Sequence, residues 1–146
     1  MDPPDPQHED TFNRSKLQWN LRHSGKHNII LQWHKKLIEL RKSLPALKNF
    51  DKKDVRTNIP SPGLLVLHRK SETEEQQLLC IFNFGNSVVE YIFPTMVHKY
   101  NKILDSSAIQ WTEKIHTSSK PHPQEMVAGN KILLQPCAVT VYEFIV

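Results

Sequence analysis

Between Asn28 and Leu44 the apolar residues Ile30, Trp33, Leu37, Leu40 and Leu44 recur at alternating spacings of three and four. That period predicts an amphipathic α-helix, with Lys35, Lys36, Glu39 and Lys42 on the rest of its surface. Pro45 ends it, because proline has no amide hydrogen to donate and disfavours helical geometry in the residue before it. Beyond Asn49 the period shortens. Leu64–Arg69, Gln77–Phe84, Val88–Phe93 and Lys99–Leu104 are runs rich in Leu, Val, Ile, Phe and Tyr, broken by turn residues, as expected of antiparallel strands. Pro60-Ser61-Pro62-Gly63 predicts a turn before the first run, and Gly85-Asn86 separates the next pair at hairpin spacing.

Residues 105–124 are polar and contain Pro121 and Pro123, so they are expected to form a long loop, with one weak strand around Ile109, Trp111 and Ile115. Met126–Ala128 and Lys131–Leu134 flank Gly129-Asn130 as a second hairpin. Ala138–Ile145 reads as a closing strand, with Val139 and Val141 on the face opposite Tyr142 and Phe144. At the other end, residues 1–26 show no helical or strand period and carry Pro3, Pro4, Pro6 and Gly25. Phe12, Leu17, Trp19 and Leu21 give this arm apolar anchors with which to pack across a folded surface. The expected fold is therefore α+β, mainly β: an irregular N-terminal arm, one amphipathic helix and an antiparallel β-sandwich of six to eight strands. Arm and helix occupy residues 1–49, and the sandwich residues 50–146.

A chain of 146 residues can bury roughly 68–70% of its unfolded surface, whereas a (β/α)8 barrel needs about 250 residues. The formal charge of +4 comes from 19 basic and 15 acidic side chains spread along the chain. Its densest basic patches, Lys35-Lys36, Arg41-Lys42 and Lys52-Lys53, have none of the aromatic or motif support of a nucleic-acid surface, which weighs against nucleic acid as a partner. No apolar run approaches the ~20 residues of a membrane span and no secretory h-region is present, so a cytoplasmic protein with no membrane partner is expected. Cys80 and Cys137, each in an apolar run, are expected as reduced, buried thiols.

The candidate chemistry is thin. His23 and His27 are the one histidine pair at i, i+4, but they straddle Gly25 and have no third ligand nearby, and His27 and His34 are seven apart, so no metal site is expected. No glycine-rich phosphate loop or nucleophile elbow occurs, and no cofactor is expected. The acids look like surface charge: Glu72, Glu74 and Glu75 in a polar turn, Asp51 and Asp54 in a Lys-rich connector, and Glu125 beside a Pro-rich loop. None has the apolar setting that tunes a glycosidase acid, so no catalytic residue is assigned. Of the tryptophans, Trp33 belongs to the helical stripe and is expected in the core, while Trp19 and Trp111, in irregular segments, are candidate platforms for a sugar ring.

Three stretches carry a resemblance. Pro4-Asp5-Pro6-Gln7 with Thr11-Phe12 and Ser15-Lys16-Leu17-Gln18-Trp19 resembles the loop after the eighth barrel strand in the maltooligosyltrehalose trehalohydrolase family of α-amylase-type glycosidases (glycoside hydrolase family 13). Leu37 to Leu47 is similar to the last barrel helix of such enzymes. Leu133-Leu134-Gln135-Pro136 running into Ala138–Tyr142 resembles the closing strand of their C-terminal β-sandwich. The sequence departs from the family wording at His8-Glu9-Asp10 and at Gln18. The resemblance implies a C-terminal part of an enzyme that releases trehalose by hydrolysing an α-1,4 bond, with its carboxylates on earlier barrel strands that have no counterpart here. It also implies that residues 4–19 form a βα loop at the mouth of the barrel, where Arg14, Lys16 and Trp19 would line a substrate groove.

The resulting expectation is a non-catalytic, structural or accessory part of a glycosidase. Its partners would be a maltooligosaccharide, a catalytic barrel in cis or in trans, or a second copy meeting it through the helix. A stand-alone carbohydrate-binding module is the alternative, followed by a nucleic-acid or protein interaction module using the basic helix face.

Overall fold

In the computed structural model, which describes residues 5–95, 99–111 and 121–144, helices cover one face of a six-stranded antiparallel sheet and a two-stranded sheet covers the other. The expected mainly β fold with one long helix is what forms, and the strands number eight among the described residues. No helix among those residues is long and apolar enough to cross a membrane.

The N-terminal arm is more ordered than its composition implies. Helix α1 (Glu9–Ser15) begins where His8 Nδ1 accepts from the Asp10 amide at 3.2 Å. Glu9 and Asp10 sit in its first turn and Arg14 in its last, the charge order that complements the helix dipole. The His8-Glu9-Asp10 departure from the family wording thus supplies the start of a helix. Seven residues are too few for a hydrophobic period to register, which is why the helix escapes a pattern search. A 3₁₀ turn (Trp19–His23) follows and packs against the next helix.

Helix α2 (Gly25–Ser43) is the expected amphipathic helix, but its buried stripe is rotated. Trp33, Leu40 and Leu44 pack on the sheet, whereas Ile30 and Leu37 lie exposed beside Ile38. Leu44 is extended, as a residue before proline must be, and Pro45 then opens a further turn, α3 (Pro45–Lys48), instead of closing helical structure altogether. Arg69 holds this corner to the sheet, donating to the carbonyls of Ala46 (3.1 Å) and Asn49 (2.7 Å).

Strands β1 (Val55–Ser61), β2 (Leu64–Lys70) and β3 (Gln77–Asn83) form a meander, and β8 (Ala138–Phe144) pairs with β3. Strands β5 (Lys99–Asp105) and β6 (Glu125–Val127) complete the large sheet in the order β1-β2-β3-β8-β5-β6, while β4 (Val89–Ile92) and β7 (Lys131–Leu134) pair to make the small one. Strand β1 has no counterpart in the sequence reading. Its residues are nearly all solvent-exposed and Pro60 interrupts them, the pattern of an edge strand.

Both expected hairpins turn out to be crossovers between sheets. Gly85-Asn86 leads from β3 to β4, and Gly129-Asn130 lies between β6 and β7, which pair with β5 and β4 respectively. Turn residues mark where the chain reverses, but burial chooses the partner. Strand β3 is buried along nearly its whole length and takes β2 and β8 on its two edges, leaving no edge for β4. Asn83, 1% exposed, fastens the first crossover: its amide nitrogen donates to the carbonyls of Ser87, Leu134 and Gln135, and its oxygen accepts from the Gly85 amide.

Alternation on the central strands feeds two cores. Leu79, Ile81, Tyr142 and Phe144 meet Tyr91, Phe93, Ile132 and Leu134 of the small sheet's side. Leu78, Cys80 and Val141 meet Leu40 and Ala46 from the helices. Each fully buried large apolar side chain of this kind contributes roughly 1.5–3 kcal/mol. Of the expected weak strand, Ile109 and Trp111 form a 3₁₀ turn (Ile109–Trp111), and Ile115 lies outside the described residues.

Candidate functional site

The 3₁₀ turn Trp19–His23 and the first turns of α2 enclose an open groove of about 710 Å³. Trp19, 66% exposed, stands at its edge, and the Arg22 guanidinium lies 5.9 Å from the Trp19 ring centroid. Leu17, Leu21 and Leu31 line the remainder together with amide and imidazole groups from Gln18, Asn28, Gln32, His23 and His27, with Lys35 beyond them. An exposed indole face among hydrogen-bonding side chains is suited to a sugar, whose ring offers an apolar face and a rim of hydroxyls.

Of the three residues expected to line a substrate groove, Trp19 is brought into this one. Arg14 is on α1, outside the groove lining, and Lys16 turns back on its own segment, donating to Asn13 Oδ1 at 2.9 Å and lying 4.4 Å from the Phe12 ring centroid. Arg22 and Gln32 did not stand out in the sequence, because a polar residue near an apolar helix stripe looks like solvated surface. The His23 and His27 pair lines the groove too, yet no cluster of three or more metal-ligating side chains exists among the described residues.

Trp111, the other candidate platform, packs edge-on against Trp33 with ring centroids 5.1 Å apart. An aromatic pair of this geometry adds about 0.5–1.5 kcal/mol beyond its buried area. It ties the Ile109–Trp111 turn to the helix. Cys80 is buried, and burial pushes its thiol up to about 11, which leaves it inert as a nucleophile. Cys137 is exposed, contrary to the expectation of two buried thiols, because it occupies a left-handed turn (φ 53°) just before β8 instead of the strand itself.

One ionisable cluster in the core has no precursor in the sequence reading. Asp105, at the end of β5, accepts from the backbone amides of Ser107 (2.9 Å) and His122 (3.1 Å) and faces His122 Nδ1 at 3.0 Å and Lys102 Nζ at 3.4 Å. The imidazole is close without a linear hydrogen bond on that side, and its Nε2 lies 3.0 Å from the Leu133 carbonyl. Lys102 also donates to the His122 carbonyl. Burial alone would raise the Asp105 pKa, but the His122 side chain, its charge and the two amides outweigh it and hold the carboxyl at about 2. Burial alone would lower His122, yet Asp105 reverses that and raises it. These groups are spent on one another and on backbone, so the cluster pins residues 121–124 to the sheet.

No family model matches the chain. In sequence it is 41% identical over 84 residues to the malto-oligosyltrehalose trehalohydrolase of Deinococcus radiodurans, a match covering 58% of this chain and 14% of that enzyme. The enzyme of the same name from Brevibacterium helvolum is 48% identical over 44 residues, 30% of this chain and 8% of its own. The chain thus spans a small share of the relatives it matches, in their C-terminal part. In fold it is similar to trehalulose synthase MutB from Pseudomonas mesoacidophila, with a TM-score of 0.56 at 18% identity over 77% of this chain and 17% of that one. The chain is thus similar to the C-terminal part of maltooligosyltrehalose trehalohydrolases, as expected.

Proposed function

We infer that this chain, related to the C-terminal parts of glycoside hydrolase family 13 enzymes, serves as the accessory β-domain of a trehalohydrolase, docked through α2 on a catalytic barrel supplied in cis or in trans. The observation that carries this reading is the apolar surface that α2 leaves uncovered. Trp33, Leu40 and Leu44 are spent on the sheet, yet Ile30 (52% exposed), Leu37 (37%) and Ile38 (54%) beside them stay open to solvent. An apolar stripe wider than the sheet covers is suited to a further partner. In the enzymes it resembles, this helix would be the last of the barrel, and the sandwich behind it would hold it in place.

The test is complementation. Added to a trehalohydrolase barrel from which the C-terminal part has been removed, the chain should restore release of trehalose from maltooligosyltrehalose, and the Leu37→Glu, Ile38→Glu double variant should not. The chain alone should release none. Trehalose from the pure chain, or equal rescue by both versions, would overturn the proposal.

The Trp19 groove favours a second reading, in which the arm also contacts oligosaccharide. Maltooligosaccharides at about millimolar concentration should then change tryptophan fluorescence saturably, and Trp19→Ala should remove the change while leaving the fold intact. A flat titration would eliminate the sugar-binding role without touching the docking role.

A further inference from the structure

The small sheet is narrower than the six-stranded sheet it covers, and the overhang at β1 leaves a cavity of about 240 Å³. Its walls are apolar and aromatic: Leu79, Tyr91, Tyr100 and Phe144 line it, with the Tyr100 and Phe144 rings 5.2 Å apart. Its polar groups are few and grouped. Arg56 pairs in register with His68 across β1 and β2, Asn58 pairs with Val66, and all four line the cavity. His68 Nε2 lies 2.7 Å from Gln77 Oε1, so that imidazole and amide satisfy each other. Burial lowers the His68 pKa against the pull of Gln77, and the Lys70 and Arg56 charges lower it further, which leaves a neutral ring at pH 7.

The cavity is thus an apolar slot beside a cation. Arg56 makes no ion pair among the described residues, and no carboxylate lines the space. A charge on an edge strand can by itself deter strand pairing. That accounts for an arginine on β1 but not for the aromatic cavity behind it. The volume is below the ~300–1,000 Å³ of sites for drug-sized molecules, which limits an occupant to about one ring with a substituent. A pyranose could reach Thr57 and Asn58 with part of its rim, but its remaining hydroxyls would lie against Leu79, Tyr91, Tyr100 and Phe144, a cost of about 1–3 kcal/mol for each one left unpartnered.

We propose that this cavity binds a small ring-bearing carboxylate, the ring held among Leu79, Tyr91, Tyr100 and Phe144 and the carboxylate paired with Arg56. A guanidinium and a carboxylate are matched in charge and in bidentate geometry, and exposed Arg56 offers that pairing at the solvent side of the cavity. None of these groups lies in the Trp19 groove or on α2, so the outcome here is independent of the glycosidase reading.

Benzoate is the probe, followed by methyl NMR of Val66 and Leu79 and by calorimetry on the whole chain. Saturable shifts with a Kd of about 1 mM or tighter are expected, with benzyl alcohol binding at least about tenfold more weakly. Arg56→Gln should weaken benzoate by about tenfold or more without moving the thermal midpoint, and Asn58→Phe, which fills the mouth from an exposed position, should abolish binding. No saturation by about 10 mM, equal binding of benzyl alcohol, or an unaffected Arg56→Gln variant would each overturn the proposal. So would glucose producing the shifts in place of benzoate.

Discussion

Replacing Asp105 by Asn keeps the shape of the side chain and removes its charge from the cluster with His122 and Lys102. The Asp105 side chain is 2% exposed, so solvent does little to screen what is lost. Its pKa falls from the ordinary 3.8 to about 2 in the folded chain. At 1.36 kcal/mol for each pH unit, that depression is worth roughly 2–3 kcal/mol of folding stability. The sign follows from which state binds the proton more tightly. The unfolded carboxyl does, so the contribution is fully present above about pH 4 and drains away as the pH falls through about 2. His122 has the opposite dependence. Its pKa is raised in the folded state, so its contribution is complete below the unfolded value near 6.5 and is lost as the pH rises through the folded one.

The cluster should therefore stabilise the fold most between about pH 4 and pH 6.5. Urea denaturation of the wild-type chain and Asp105→Asn, followed by circular dichroism across the pH range, reads this directly. At about pH 5.5 the variant should be less stable by roughly 2–3 kcal/mol, and the two curves should converge towards pH 2. The gap should also narrow on the alkaline side as His122 gives up its proton. A loss of the same size at pH 2 and at pH 5.5 would refute the electrostatic account and leave a packing effect. A loss under about 0.5 kcal/mol at pH 5.5 would refute the magnitude.

Gly63 has φ +80°, and a Cβ there would stand 3.2 Å from the Gly85 amide nitrogen, so Gly63→Ala should cost at least the ~1–2 kcal/mol of left-handed strain, measured as a drop in the urea midpoint. Asn83→Ala leaves the Gly85 amide and the carbonyls of Ser87, Leu134 and Gln135 without their partner. It should cost about 2–3 kcal/mol, and a loss below 1 kcal/mol would show that water replaces the amide. A colorimetric thiol reagent should label exposed Cys137 in the native chain and buried Cys80 only after denaturation; two thiols reacting together without denaturant would contradict the placement of Cys80.

The long helix and the strand runs were legible because each repeats a period often enough to define a face. What the period leaves open is which of two neighbouring faces meets the core. On α2 the core takes Trp33, Leu40 and Leu44, while Ile30 and Leu37 on the flank of the same stripe, and Ile38 beyond them, stay exposed. Strand β1 was illegible for a related reason, since its exposed Arg56, Thr57 and Asn58 border a cavity instead of a packed core and so carry no hydrophobic alternation.

Pairing was illegible for a different reason, because turn chemistry is local and sheet membership is not. Gly85-Asn86 and Gly129-Asn130 reverse the chain as their residues dictate, yet β4 and β7 leave the large sheet and find each other. Asn83 ties the first crossing to the end of β7, its amide reaching Leu134 and Gln135, more than fifty residues along the chain. The Asp105 cluster is of the same kind: β5 contributes Asp105 and Lys102, and a segment expected only as loop contributes His122. Each residue alone reads as solvated surface, and only their juxtaposition turns it into a buried, mutually satisfied group. In the candidate groove, by contrast, Trp19 was singled out because it stands in an irregular segment with no helical stripe to claim it, and the fold leaves it exposed. Arg22 and Gln32 acquire meaning only once the 3₁₀ turn folds against α2 and sets them beside it.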